Sequence, residues 1–548
     1  MLQVNRSADT APAPLLTARR SPLALPMETA ALLLLLVVCA ALRIVNLGAL
    51  PVFIDEATYA QAARIVGAHP GPGTFFIQST PNFGFNPPLF SWFAAPFTRL
   101  LPDPLLAARL ASACIGVVGM VATWAAGRLL WGPLAGLLAG ALYALSPFVV
   151  FYNRLALLDG LLATCGAGAL FFALRLARRG GAGDALGLGL CVAAAMLTKL
   201  FAVNLLLLPL LAALLARRSQ RAVVSRGAAL AIVVGLLPLP YVYQNGWGLH
   251  GHLNATARDL AQAAPIVWGQ AALWADSLWL YLTPPVLLAA LVGLWAVRRD
   301  RLGLLVGAWA IMGTLDIVAV PNKLFAPRYE LYIAVPVVLL GARGLLTFAE
   351  TLRARLRRGA PLWLVLAGAV TLVAIPAVTS DATTINAPAR TALVPFDRWQ
   401  YVTDWPAGGT LAPAIDYLRR QASRRPITVI AENIPLYMLE VSMAGDKNIA
   451  WRAANFGHPQ GLRTIVGGAV HSAGAANVYV VNHHTTGAHP DRRLQPQGRY
   501  LVSDHRVLAV VVDSRGPDGI SIYEVYHVAT KQTPCRTLFG VRVGTCGP

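Results

Sequence analysis

Eleven predominantly apolar runs of about 17 to 25 residues follow one another along this chain, and no other feature restricts its fold as strongly. They lie near residues 28–48, 104–127, 133–151, 157–176, 184–199, 200–216, 227–243, 272–297, 302–320, 329–349 and 361–378, with 184–216 the weakest stretch. A segment in lipid has no water to satisfy its amides, so each run is expected to close its hydrogen bonds within a helix. With 56% hydrophobic and only 13% charged residues, a polytopic α-helical membrane protein is the expected class. No repeat of solenoid period and no long low-complexity tract competes with that reading.

The formal charge of +20 raises nucleic acid as a partner, but the excess is arginine in short clusters between apolar runs, not one basic face. Such clusters mark cytoplasmic loops. Placing the polar leader, residues 1–27 with Arg19 and Arg20, inside puts alternate loops in the cytoplasm. Those loops carry Arg128; Arg175, Arg178 and Arg179; Arg217, Arg218, Arg221 and Arg226; Arg298, Arg299 and Arg301; and Arg353, Arg355, Arg357 and Arg358. The leader and first run together have the form of an uncleaved signal anchor. Residues 28–378 are then a membrane domain with a long external loop at 49–103. An odd number of spans leaves 379–548 outside the cell membrane as a soluble domain.

In that loop, residues 86–93 open a Pro-marked, aromatic segment expected to lie along the membrane surface as an interfacial helix. The tail predicts an amphipathic helix over 409–424 and strands at 427–431, 478–481, 507–512 and 520–526, the last two joined through Pro517-Asp518-Gly519. A small α/β domain follows. Cys39, Cys114, Cys165 and Cys191 fall in apolar runs and read as packing residues, while Cys535 and Cys546 are placed to pair in an oxidising compartment. His471, His483, His484 and His489 have no metal-ligand spacing and read as solvated loop residues.

Candidate chemistry collects where spans meet the outer water. Asp55-Glu56, in Phe53-Ile54-Asp55-Glu56-Ala57-Thr58-Tyr59, follows the first run; it is either a catalytic pair or a cap for a helix over 57–66. Asp159 begins the fourth run five residues after Arg154; it is a site acid, the partner of Arg154, or a cap. Only four lysines occur in the chain, and the two in the membrane part, Lys199 and Lys323, both fall at outer ends, against the positive-inside bias. Lys323 belongs to the turn Pro321-Asn322-Lys323-Leu324-Phe325-Ala326-Pro327-Arg328-Tyr329, whose cations suit phosphate oxygens and whose Arg and Tyr also suit interfacial anchoring. Carboxylate to activate an attacking group, cations to hold a departing phosphate and an apolar groove form a set suited to a lipid-linked phosphate donor.

Asp55-Glu56, Pro87-Pro88-Leu89, Arg154 to Asp159 and Arg328-Tyr329, in that order over residues 28 to 350, resemble the motifs of the GT-C-fold glycosyltransferases of the protein O-mannosyltransferase and aminoarabinose transferase group. The stretch Gln400 to Gly408 also resembles one that follows the membrane domain in many bacterial members, without a role attached. The resemblance implies inverting transfer of a sugar from a polyprenyl-phosphate carrier to a lipid, glycan or protein acceptor outside the cytoplasmic membrane. It implies Asp55 as general base, with Glu56 and Asp159 orienting sugar or acceptor. Lys323, Arg328, Tyr329 and Lys199 would hold the donor phosphate, and Arg154, Asn86 and Tyr59 would position substrate. No cofactor is required by this reading, and a divalent ion stays open. The aminoarabinose branch has an acidic and a basic residue before Pro-Pro-Leu where this chain has Phe85-Asn86, so lipid A specificity does not carry over. A secondary transporter or a lipid-linked sugar flippase is the alternative, although no inverted repeat is visible and the acids sit at span ends instead of the midplane.

Overall fold

The computed structural model describes residues 24–71, 73–74, 79–80, 84–85, 88–244, 263–319, 321, 325–355, 361–403, 405–408, 411–431, 433–454, 459–474, 477–484, 506–512, 519–526, 536–538 and 541–543. Every one of the eleven apolar runs is helical among these residues. Helix α1 (Ala24–Ile44) is followed by two helices of the loop, α2 (Ile54–Ala68) and α3 (Pro88–Leu100). The bundle continues with α4 (Pro104–Trp131), α5 (Pro133–Ala144), α6 (Pro147–Asn153), α7 (Leu158–Arg179), α8 (Ala182–Met196), α9 (Leu207–Leu215) and α10 (Arg221–Leu236). It closes with α11 (Leu239–Gln244), α12 (Ala263–Ser277), α13 (Pro284–Ala296), α14 (Arg301–Ala319), α15 (Ala334–Arg355) and α16 (Leu362–Asn386).

Six helices are long and apolar enough to cross a membrane, or up to eight if two bent pairs each count as one span; three shorter apolar helices complete the set. The runs at 133–151 and 272–297 are therefore not single straight helices as expected. The first bends by 57° between α5 and α6, and the second by 101° ahead of α13. Proline is the local cause in both: Pro147 opens α6, and the Pro284-Pro285 pair follows Thr283, whose φ of 63° no helix accommodates. The run at 200–216 opens as a 3-10 segment, Leu200–Leu206, before α9. In the loop, the helix offered for 57–66 and the one opened by 86–93 are both present, and they pack on each other, tied by Arg99 Nε donating to Gly67 O at 2.8 Å.

Helices α13 and α15 touch backbone to backbone. A Cβ added at Gly293 would fall 1.8 Å from Leu340 O, and one at Gly344 would fall 1.8 Å from Ala289 O. Small residues that admit such approach drive helix association in lipid, where burial of apolar area offers no net gain. The close crossing fixes α15, whose preceding 3-10 segment, Pro327–Ile333, carries Arg328.

After α16 the chain forms a short helix α17 (Pro395–Arg398), a helical turn at Trp399–Thr403, and α18 (Ala412–Ala422). A five-stranded sheet follows from β1 (Ile427–Ala431), β2 (Ile449–Ala453), β3 (Val478–His484), β4 (Arg506–Val512) and β5 (Gly519–Tyr526) in the order β2-β1-β3-β5-β4. The first three strands are parallel, and β3, β5 and β4 are antiparallel, with Val512 opposite Ile520 across the expected hairpin. Two helices and a strand escaped the sequence reading: α19 (Asn433–Ser442), β2 and α20 (Pro459–Ala473). Helix α19 lies on α2, where Gln61 Nε2 donates to Glu440 Oε2 at 3.1 Å. Cys39, Cys114, Cys165 and Cys191 are free thiols. The leader with Arg19 and Arg20, Cys535 and Cys546 lie outside the described residues.

Candidate functional site

The connection from α1 to α2 leaves its backbone carbonyls without helical partners, and two arginines take them up. Arg154 donates from Nη1 to Leu42 O at 2.9 Å and Val45 O at 2.8 Å, and from Nη2 to Asn46 O at 2.9 Å. Arg109, from α4, donates to Leu47 O, Leu50 O and Pro51 O between 2.8 and 3.1 Å. Both guanidiniums are buried, and between them they take up six carbonyls within ten residues. The entry to α2 is thereby clamped to two parts of the bundle.

Asp55 and Glu56 sit next to each other in the first turn of α2 and do different work, because successive helix positions point about 100° apart. Glu56 turns inward and is wholly buried. It forms a bidentate pair with Arg109, Nε to Oε1 at 2.8 Å and Nη2 to Oε2 at 2.7 Å, and accepts from Ala156 N at 2.7 Å and Phe53 N at 3.1 Å. The last contact is the backward half of a capping box, so Glu56, not Asp55, completes the helix start. That start is at Ile54, earlier than the expected 57.

Asp55 faces a cluster assembled from four separate stretches. Its Oδ2 accepts from Arg328 Nη2 at 2.7 Å. Arg328 Nη1 donates to the Tyr401 hydroxyl at 3.2 Å, and Arg328 Nε lies 3.9 Å from Asp159 Oδ2. Lys199 Nζ donates to Asp159 Oδ1 at 2.6 Å and sits 3.7 Å from the centre of the Tyr329 ring. The Arg328 guanidinium also lies over Phe53, 5.1 Å from the ring centre, in a cation–π geometry. Two carboxylates thus share two cations, with aromatic rings as walls. Asp55 keeps 29% of its side-chain exposure against 4% for Asp159, so of the two it is the one an incoming group can reach.

Behind Arg328 stands a second polar set. Asp397 is fully buried and accepts at Oδ2 from the hydroxyls of Tyr152 and Tyr281, both at 2.5 Å. Burial pushes its carboxyl up to about 6, against the two hydroxyl bonds, which pull it down. Burial likewise raises the phenols of Tyr59 and Tyr401 well above their ordinary value, so both stay protonated at neutral pH.

The structure brings Asp55, Asp159, Lys199, Arg328 and Tyr329 into one cluster. Tyr59 is partly buried against Phe90, ring centres 6.1 Å apart. It departs from expectation at two residues. Glu56 is saturated by protein donors and takes a structural role instead of orienting substrate. Arg154 spends its Nη donors on the α1–α2 carbonyls, against the substrate-positioning role expected of it, and the alternative pairing with Asp159 does not form. Asp159 stands in the first turn of α7, whose cap position is Leu157, and its carboxylate is taken up by Lys199 and approached by Arg328. Asn86 and Lys323 lie outside the described residues, as do the side chains of His483 and His484 and the whole of His489; His471 is exposed on α20.

Sequence reading missed Arg109, Asp397 and the role of Tyr401. An arginine inside an apolar run is expensive enough to be a signal on its own, and Arg109 in 104–127 carried it. Among the described residues no group of three His, Cys, Asp or Glu side chains is placed to hold a metal ion. Both site carboxylates are already met by cations, a donor set that suits an anionic substrate group better than a divalent ion.

Residues 86–243 match the family model described as dolichyl-phosphate-mannose-protein mannosyltransferase. No curated protein matches the sequence significantly. Among solved structures, ArnT from Cupriavidus metallidurans bound to undecaprenyl phosphate is similar at a TM-score of 0.55 and 19% identity, covering 93% of this chain and 99% of that one. The apo state of the same protein gives 0.54 and 17%, covering 91% and 97%. The archaeal oligosaccharyltransferase AglB from Archaeoglobus fulgidus, in complex with an inhibitory peptide and a dolichol-phosphate, gives 0.51 and 13%, covering 84% and 70%. At these identities the likeness establishes a shared fold.

Proposed function

We propose that this chain, a multi-pass membrane protein of the GT-C glycosyltransferase fold, transfers a sugar from a polyprenyl-phosphate carrier to a hydroxyl of an extracytoplasmic acceptor, with inversion at the anomeric carbon. The observation that carries the reading is the meeting of Asp55, Asp159, Lys199 and Arg328, drawn from four distant stretches, in one cluster with a single reachable carboxylate. Asp55 takes the proton of the acceptor hydroxyl as its oxygen attacks the anomeric carbon. The bond from that carbon to the phosphate oxygen breaks on the opposite face, and the electron pair leaves with the polyprenyl phosphate. Arg328 and Lys199 neutralise the phosphate, and Lys323 is positioned by sequence to join them. Asp159 holds Lys199 and approaches Arg328, keeping both cations aimed at one point.

A route for the lipid tail is at hand. An apolar groove of about 400 Å³ runs between α13, α14 and α15, lined by Leu278, Leu287, Leu294, Ile333 and Val337 among others. Ile333 ends the 3-10 segment that carries Arg328, so a chain lying in the groove reaches toward the cations. The arginine-rich ends of the helices lie away from this cluster, which supports a site facing the outside. The acceptor class, whether lipid, glycan or protein, is left open by this reading.

The test is release of undecaprenyl phosphate by purified protein from a labelled undecaprenyl-phospho-sugar in the presence of a membrane extract as acceptor source. Wild type is expected to release it, and Asp55→Asn to lose about 10²- to 10⁴-fold in rate while keeping its melting temperature. A wild-type protein that moves the labelled lipid across vesicles without breaking the sugar–phosphate bond would establish the flippase alternative.

A further inference from the structure

The base assigned above is not free. Asp55 is tied to Arg328 at 2.7 Å, so its Oδ2 is already engaged before any acceptor hydroxyl arrives. The donor phosphate is the natural competitor for the same Nη2. Exchange of one anion for another works only if the guanidinium stays where it is while its partner changes; Asp159, 3.9 Å from Nε, steadies one edge of it and leaves the Nη1 edge to be held.

A second anchor comes from the segment that follows the last long helix. Tyr401 accepts from Arg328 Nη1, and its ring packs on Phe53 at 4.7 Å and on Phe151 at 5.4 Å. Phe53 immediately precedes α2 and lies under the same guanidinium, so Tyr401 touches Arg328 itself and the ring two residues ahead of Asp55. The segment itself is pinned at both ends. On one side Asp397 binds the hydroxyls of Tyr152 and Tyr281, and Val394 N donates to the latter at 3.2 Å. On the other, Gly408 has a φ of 61°, and a Cβ there would fall 2.5 Å from Val52 O and from Met438 Cε, so the chain is seated against the entry to α2. Residues 394–403 and 405–408 thus lie as a strap across the back of the cluster.

We infer that Tyr401 holds Arg328 in place while the donor phosphate displaces Asp55 from it, so that the base is released only when the donor is bound. The inference rests on the transferase reading. Tyr401 acts through Arg328 and is a positioning residue. The consequence is protection of the carrier: before the phosphate enters, the reachable carboxylate of Asp55 is held by Arg328 and is not turned to activating water.

Tyr401→Phe keeps the ring contacts and removes the acceptor. The expected result is a KM for undecaprenyl-phospho-sugar raised about tenfold, with the melting temperature unchanged and the thermal shift given by undecaprenyl phosphate reduced. Asp397→Ala leaves Tyr401 intact but loosens the strap, and is expected to raise the same KM about threefold. It provides the test should the phenylalanine variant not fold. Unchanged KM in both variants overturns the inference, as does a lowered kcat at unchanged KM with a lowered melting temperature, the pattern of a merely structural role. If wild type itself releases no undecaprenyl phosphate, the transferase reading fails first, and that outcome is read before either variant is made.

Discussion

Asp55 and Glu56 illustrate how little adjacent identity means once a helix has turned. One carboxylate reaches the cluster; the other closes four hydrogen bonds inside the protein with Arg109, Phe53 N and Ala156 N. Removing one partner of a buried, saturated ion pair leaves the other charge without compensation, at a cost of about 3–5 kcal/mol. Glu56→Ala is therefore expected to lower stability by about that amount in a denaturation series in detergent. A variant that melts with wild type but has lost turnover would return Glu56 to the chemistry. At this scale the sequence was half legible. Asp55, Asp159, Lys199 and Arg328 stand out because the two cations lie at outer span ends, against the positive-inside bias, and the two acids sit where spans meet the outer water. The division of labour between Asp55 and Glu56 depends on which wall each faces, and that is set by Arg109, fifty-three residues away.

Elements carry the site through two devices. The first is the close crossing of α13 and α15 at Gly293 and Gly344. Any side chain there must push the helices apart, because the obstacle is backbone and cannot rotate away. Gly344→Val is expected to cost at least about 3 kcal/mol and to displace the segment bearing Arg328, read as a lower melting temperature together with weaker binding of undecaprenyl phosphate. The second is the buried carboxylate of Asp397. Its value in the folded protein is raised to about 6 from an ordinary 3.8, so the fold favours the protonated form. The stabilisation from it is complete below about 3.8 and is lost as pH rises through 6, by up to about 3 kcal/mol. Between pH 4 and pH 7, wild type is expected to lose stability that Asp397→Asn retains; parallel profiles in a thermal melt would contradict this. The helical runs were legible because apolar length is a strong signal, and β1, β3, β4 and β5 because alternating or β-branched runs bounded by turns are. The bends at 57° and 101° were not, since hydropathy is blind to direction even where Pro147 and Pro284 mark the place. Helix α19 and strand β2 are short and take their conformation from the neighbours they pack on.

For the molecule as a whole, orientation is the property on which substrate access depends. On the proposed orientation, the positive-inside bias of the arginine clusters puts the leader inside and the sheet outside. In a background with Cys535 and Cys546 replaced by Ser, a membrane-impermeant maleimide is expected to label His471→Cys in intact cells and Arg218→Cys only after permeabilisation. Both positions are exposed, so the reverse order would invert the topology and remove the site from the outer face. The GT-C architecture itself was legible from four short motifs in order. The placement of the tail was not, because its contacts with α2 and with Arg328 join residues more than seventy positions apart.

Six carbonyls of the connection into α2 are gripped by Arg109 and Arg154. On the transferase reading proposed above, a base mounted on so stiff a bracket has no arc to sweep. Whatever molecule receives the sugar must bring its oxygen to that one spot, and a change of recipient during evolution has to be carved into the opposite wall of the chamber, leaving the bracket alone.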